Sequence, residues 1–367
     1  MNENWFKLRG ALSRQSAFTL TLIGFSLTIL IWWILAELFS RQRPVYANQT
    51  ENESLVFIDS INVASEENNP SDSFTANVIG YQKVYPLLPR PDKTLMAFKP
   101  LFREDKLVGN TLHSAWLNIQ GYFWAILISI PIGMLLSLFP IFSSMFSGQI
   151  DALRYLPLSA LTGLFIIWFG LGDSMKIAFL AVGIIVYLIP VVMQRIHGVD
   201  DTLVQTGDTL GASPWQKIKK VFFPASVSNL MDDIRVLTAI SWTYIIIAEL
   251  LNKQRGIGSL IYTKARLGQT DRVFAILIVI TLIGLFQDQF FKLIDRIINP
   301  HKYYKTKLQG LQDGKIGFYA LMAAILTGII AAWYQSEIIK YTSWVLAVAG
   351  LVFIGTGFYK INKESAE

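Results

Sequence analysis

The sequence contains no cysteine, which excludes disulfides, thiolate metal sites and cysteine nucleophiles. Histidine is nearly absent too. His113, His197 and His301 are scattered, and no two share a helical or metal-ligand spacing, so metal catalysis has no support. No Gly-x-x-x-x-Gly-Lys-Ser/Thr string occurs. The strings GLGDSMK and GLQDGK have the wrong spacing, and neither follows a strand. The chain is therefore not expected to hydrolyse ATP or to hold a cofactor or metal, and no Ser/His/Asp set suggests another enzyme. Charge is also scarce, at 16% against 53% hydrophobic residues, a balance outside the soluble globular range.

What is present is a series of apolar blocks of membrane-spanning length. A bilayer core needs about 20 apolar residues per helix, and each unpaired backbone group in lipid costs several kcal/mol, leaving helices or closed barrels. Continuous blocks rather than ten-residue alternation select helices. Residues 16–39 form a first, uncleaved span that starts inside, too long for a signal peptide. Further spans are read at 111–139, 153–169, 176–193, 225–251 and 273–294, and a helical hairpin at 316–334 and 341–359. About eight spans follow, with both termini cytoplasmic. Pro131 and Gly133 inside the second span predict packing against neighbouring helices. Gly314, Gly317, Gly328, Gly350 and Gly355 are expected to let the terminal hairpin pack closely. The net charge of +6 reads as positive charge in cytoplasmic loops, not as a nucleic-acid footprint.

Four segments result: an N-terminal helix over 1–40, an extracytoplasmic loop or small subdomain over 41–108, a core over 109–300, and the hairpin over 301–367. Asn, Ser, Glu and Asp dominate 48–77, with β-prone patches at 55–58 and 77–84, so a loosely ordered loop is favoured there. Residues 94–102 fit a short interfacial helix.

One polar stretch organises the rest. Residues 201–224, DTLVQTGDTLGASPWQKIKKVFFP, carry Leu203, Val204, Leu210, Ile218 and Val221 at near-helical spacing, interrupted by Gly211-Ala212-Ser213-Pro214. Glycine ends one short helix, and Ser-Pro opens the next. A surface helix, tight turn and helix without catalytic groups has the form of a docking element.

The order Gly211-Ala212-Ser213, Pro224, Arg235, Trp242 resembles the cytoplasmic coupling loop of ABC-importer permeases. The family's Glu-Ala-Ala triplet reads Gln205-Thr206-Gly207 here, and a proline and a glycine usual further on are Ser228 and Asp233. The likeness runs from about residue 87, at LPRPDKTL, to 299. It includes RYLPLSALTGLFIIWFGLGDSMKIAF before the loop and IIIAELL with RGIGSLIYTKARLGQTDRVFAILIVI after it. These flanks are most similar to the nitrate/sulfonate/taurine type. The resemblance implies an all-α, six-helix permease core with a coupling loop over 196–224, to which the hairpin is an addition. It implies a bacterial inner-membrane importer subunit working by alternating access. Its partners would be an ABC ATPase using ATP and Mg, an extracytoplasmic substrate-binding protein and a second copy of the chain. On that reading Gln205, Thr206, Gly207, Leu210, Gly211, Ala212 and Ser213 meet the ATPase.

Charges within apolar spans cost roughly 2.5–3.5 kcal/mol near mid-bilayer and face a cavity or a partner. Arg235 and Glu249, which match the family's arginine and glutamate, are candidates for the translocation pathway, as are Trp242, Lys253 and Arg255. Structural pairing is the stronger reading for Arg235 and Glu249, and packing for Trp168 and Trp242. Lys253, Arg255, Lys264 and Arg266 fall between the fifth and sixth spans, on the outer side, against the charge rule. They form either a basic mouth for an anion or a surface for the binding protein. A self-contained channel or secondary transporter predicts broken helices in two related halves, and no such duplication is visible; a transport-inactive scaffold is a further alternative.

Overall fold

The computed structural model describes residues 13–46, 78–252, 254–302, 310–334 and 336–364. Helix α1 (Arg14–Leu38) starts behind Ser13, whose hydroxyl accepts from the Ser16 N–H. Strands β1 (Arg41–Tyr46) and β2 (Val78–Val84) pair antiparallel, with Arg41 opposite Val84. Two short helices follow, α2 (Pro91–Met96) and α3 (Phe98–Arg103), then α4 (Leu107–Leu138), α5 (Pro140–Leu153), a 3-10 turn (Leu158–Leu161), α6 (Thr162–Phe169) and α7 (Asp173–His197). The polar stretch folds as α8 (Asp201–Thr209), α9 (Pro214–Lys217) and a π-helical turn (Ile218–Phe222) that runs into α10 (Phe223–Asn252). Helices α11 (Ile257–Arg266), α12 (Thr270–Ile298), α13 (Gly310–Tyr334) and α14 (Glu337–Glu364) complete the chain.

Among the described residues, seven helices are long and apolar enough to cross a membrane. The eighth expected span is different. Residues 153–169 do not form a straight helix; instead Pro140–Leu153 and Leu158–Phe169 pass the same test only as a pair bent by 91°. The bend has a local cause. Pro157 lacks an N–H and pushes Leu156 away from helical geometry, so α5 stops before it. This is the one bent pair found among the described residues.

The chain divides into two compact units, Met1–Asn110 with Ser259–Ile280, and Thr111–Gly258 with Thr281–Glu367. In the first, the indole of Trp32 donates to the carbonyl of Pro89 at 2.9 Å, and the Arg90 guanidinium lies 4.6 Å from the Trp33 ring centre. The α1 carboxylate Glu37 takes the Tyr85 hydroxyl at 3.0 Å and pairs with Lys83. The end of the first span is thereby tied to the LPRP segment. The described part of residues 41–108 is thus a β-ribbon and two short helices, rather than a structureless loop: the β-prone patch at 77–84 is β2, and α2 and α3 occupy the region of the short helix expected over 94–102; the β-prone patch at 55–58 lies outside the described residues.

In the second unit, α7 is the central helix. Phe165 of α6, Met175 and Phe179 of α7 and Ala248 of α10 form a buried cluster, the Phe165 and Phe179 rings meeting edge-on at 5.4 Å. The proline-bearing α4 packs on α7 as expected: a Cβ on Gly133 would lie 2.6 Å from Val192 Cβ. Trp168 is not a packing residue in the core sense; it touches Phe165 but is 63% exposed.

Helices α13 and α14 form the expected close antiparallel hairpin. A Cβ on Gly317 would sit 2.7 Å from the Gly350 carbonyl, and one on Gly357 would sit 2.7 Å from the Gly314 nitrogen. Gly328 closes on Trp116 and Ser343. Gly355 plays no part, since nothing lies within 4 Å of it; Gly357 and Gly310 make that contact instead. Gly317→Leu is therefore expected to force the helices apart and destabilise the chain by about 2 kcal/mol. Gly355→Leu should be neutral. Thermal unfolding of both variants in detergent checks the contrast, and equal midpoints would refute the close-packing account.

Candidate functional site

The polar stretch is built to be stiff. Asp200 caps α8: its carboxylate accepts from the Thr202 hydroxyl at 2.6 Å and the Thr202 N–H at 2.8 Å. Those two donors, the hydroxyl first, hold the Asp200 carboxyl below its ordinary pKa. At the other end, Gly211 adopts φ +67°, a backbone state that costs other residues about 1 kcal/mol. The Gly211 N–H then reaches the Asp208 carbonyl, and the Ala212 N–H reaches the Gly207 carbonyl, both at 2.9 Å. This pair of bonds is a Schellman stop. Ser213 opens α9 with a reciprocal cap: its hydroxyl accepts from Gln216 N–H at 3.3 Å, while the Gln216 side-chain oxygen accepts from Ser213 N–H at 2.8 Å. Pro214 supplies a preset first helical residue. Lys217 then bonds Asp208 across the turn at 2.6 Å, over the buried Gly207.

The knob presents large apolar side chains outward among its polar ones. Leu210 is 80% exposed and Trp215 71%, with Leu203 beside them in sequence at 50%. Gln205, Thr206, Gly211 and Ser213 are exposed, Ala212 is half-buried, and Gly207 points inward. Sequence reasoning singled out the glycine turn but missed Trp215. The available signal was an aromatic residue just inside a capped, otherwise polar surface helix. Lys219 and Lys220 add exposed positive charge at its root.

The candidates within the spans are paired. Arg235 reaches Asp288 at 3.1 Å and Asp232 at 3.6 Å, and Asp288 also meets Lys292 at 2.7 Å. The Trp242 indole, 5% exposed, donates to Gln287 at 2.7 Å. Both residues thus fasten α10 to the later part of α12. Glu249 is fully buried and accepts from the Ser114 hydroxyl at 2.6 Å and the Gly258 N–H at 2.8 Å. Near the same turn Lys176, also fully buried, donates to the Arg255 carbonyl at 3.1 Å and to Asp173 at 3.2 Å.

The four cations read between the fifth and sixth spans differ among themselves. Arg255 has an exposed side chain, and Lys253 lies outside the described residues. In the other unit, Arg266 is exposed and sits 5.7 Å from the Tyr262 ring centre. Lys264 is not a free charge: it is 6% exposed and held by Asp105 at 2.6 Å, which also binds Arg272 at 2.8 Å. Among the described residues no group of three or more His, Cys, Asp or Glu is placed to hold a metal.

Residues 125–300 match the family described as "Binding-protein-dependent transport system inner membrane component". Over 210 residues the chain is 30% identical to SsuC of Bacillus subtilis (strain 168), named for aliphatic sulfonates transport as a permease protein; the match covers 57% of this chain and 76% of that one. An ABC transporter permease protein of Methanocaldococcus jannaschii is 30% identical over 214 residues, 57% of this chain and 80% of the relative. The taurine transport system permease protein TauC of Escherichia coli (strain K12) is 28% identical over 181 residues, covering 48% of this chain and 65% of TauC.

Proposed function

Because this chain belongs to the family of binding-protein-dependent transport inner-membrane components, a multi-pass permease subunit of the sulfonate/taurine type, we propose that it couples to a separate ABC ATPase through the knob at 201–217. The observation that carries this reading is the knob itself. It is doubly capped, cross-linked by Asp208 and Lys217, and presents Leu210 and Trp215 outward with no catalytic group. An ATPase using ATP and Mg grips such a knob from the cytoplasm. Two copies of the permease then alternate between inward- and outward-open states, with a binding protein delivering solute from outside. Two permease copies fit a chain with a single coupling loop.

The solute class rests on the names of SsuC and TauC and on the exposed Arg255: a small organic anion of the sulfonate kind. Both termini would lie in the cytoplasm, the side to which the positive-inside rule assigns Arg195, Lys217, Lys219 and Lys220. A self-contained secondary transporter predicts broken helices in matched halves, and the single bent pair has no counterpart among the described residues.

The test is to purify the tagged chain from native membranes and assay copurifying ATPase activity, with Gly211→Arg in parallel. The Gly211 site has open space around it, so arginine does not clash; it strains a left-handed residue and sets a long cation on the docking surface. Activity with the native chain and a loss of about tenfold in the variant, equivalent to ~1.4 kcal/mol, is expected at equal membrane levels. No ATPase with either chain, under conditions that preserve other ABC complexes, would overturn the coupling reading.

A further inference from the structure

The root of the knob carries an ion pair that the function above does not use. Arg195, in the last turn of α7, grips Asp233 of α10 with both arms of its guanidinium, Nε to Oδ2 at 2.6 Å and Nη2 to Oδ1 at 2.8 Å. Two parallel charge-assisted bonds fix orientation as well as distance. The pair spans the loop: Arg195 precedes it, and Asp233 lies well inside the helix that follows. Between them the chain enters α10 through the π-helical turn Ile218–Phe222, and single π turns are weak points in a helix, frequent at functional sites. A stiff knob on such a turn can pivot unless braced. The neighbouring acid, Asp232, is engaged elsewhere, by Lys302 at 3.3 Å and Arg235 at 3.6 Å.

We infer that Arg195 and Asp233 are a positioning pair that clamps the end of α7, from which the knob leaves, to α10, so that motion imposed on the knob is passed to the helix instead of being lost in the π turn. This rests on the coupling reading for its purpose, but not for its geometry.

Two measurements on the full chain in lipid nanodiscs separate those levels. The first needs no ATPase: hydrogen exchange over residues 198–217 should quicken about fivefold in Arg195→Gln. It should return to the native rate in the swapped pair Arg195→Asp with Asp233→Arg. Exchange unchanged in Arg195→Gln, or not restored by the swap, overturns the brace whether or not an ATPase is found. The second uses the copurified complex with ATP and vanadate. Arg195→Gln should retain bound ATPase within about twofold, yet lose the vanadate-induced change in exchange over residues 236–251, and the swap should restore it. Loss of bound ATPase in proportion to that change would mean the pair merely supports the fold of the knob, and would overturn the transmitting role.

Discussion

Trp215→Ala is expected to weaken ATPase binding by about 2 kcal/mol, roughly 30-fold in affinity, while leaving the amount of chain in the membrane unchanged. The indole is 71% exposed, so its removal opens no cavity in this chain. It stands in the first turn of α9, where Pro214 and the reciprocal cap between Ser213 and Gln216 fix the backbone beneath it. A large aromatic side chain on a rigid mount loses little conformational freedom on binding, and such residues dominate association energies. Leu210, 80% exposed but smaller, should cost about 1 kcal/mol when cut to alanine. Titration of purified ATPase against the chain in nanodiscs measures both. Equal affinities for the native chain and Trp215→Ala would place the docking surface elsewhere.

The knob was legible in the sequence because its determinants are local. A left-handed glycine and a Ser-Pro start act within a few residues of themselves, whatever the rest of the chain does. Helix existence was likewise legible from block length. What stayed hidden depends on phase or on distant partners. Gly355 and Gly357 are two residues apart, which on a helix places them about 200° apart. Only Gly357 faces α13, and composition cannot choose between them. The block at 153–169 has the hydropathy of a span, but hydropathy does not show the break before Pro157. Lys264 reads as an unpaired outer cation until the fold brings Asp105 to it, and Asp233 reads as a damaged glycine motif until Arg195 meets it. Half of the β-ribbon was legible, since the β-prone patch at 77–84 is β2; its partner Arg41–Tyr46, with three polar residues and a proline, was not.

Glu249→Ala is expected to be the most damaging single change within the described core, destabilising the chain by about 3–5 kcal/mol. The carboxylate is fully buried and serves two donors, the Ser114 hydroxyl and the Gly258 N–H. Ser114 in turn accepts from the Ile257 N–H at 2.8 Å, so one acid satisfies, directly and through a hydroxyl, two of the orphan donors at the start of α11. The fit is close: Gly256 sits at φ +131°, and a side chain there would overlap the carboxylate. The same turn is held from α7 by Lys176 through the Arg255 carbonyl. Alanine would strand a buried N–H and a hydroxyl and remove a negative charge from the neighbourhood of a buried ammonium. Glutamine keeps one acceptor and turns the other into a donor; the hydroxyl can rotate to meet it, so Glu249→Gln should lose about 1–2 kcal/mol. Thermal unfolding in detergent should rank native above Glu249→Gln, and Glu249→Gln above Glu249→Ala. The opposite pattern is just as readable. If Glu249 served the transported solute rather than the turn, Glu249→Gln would unfold at the native temperature and change uptake alone.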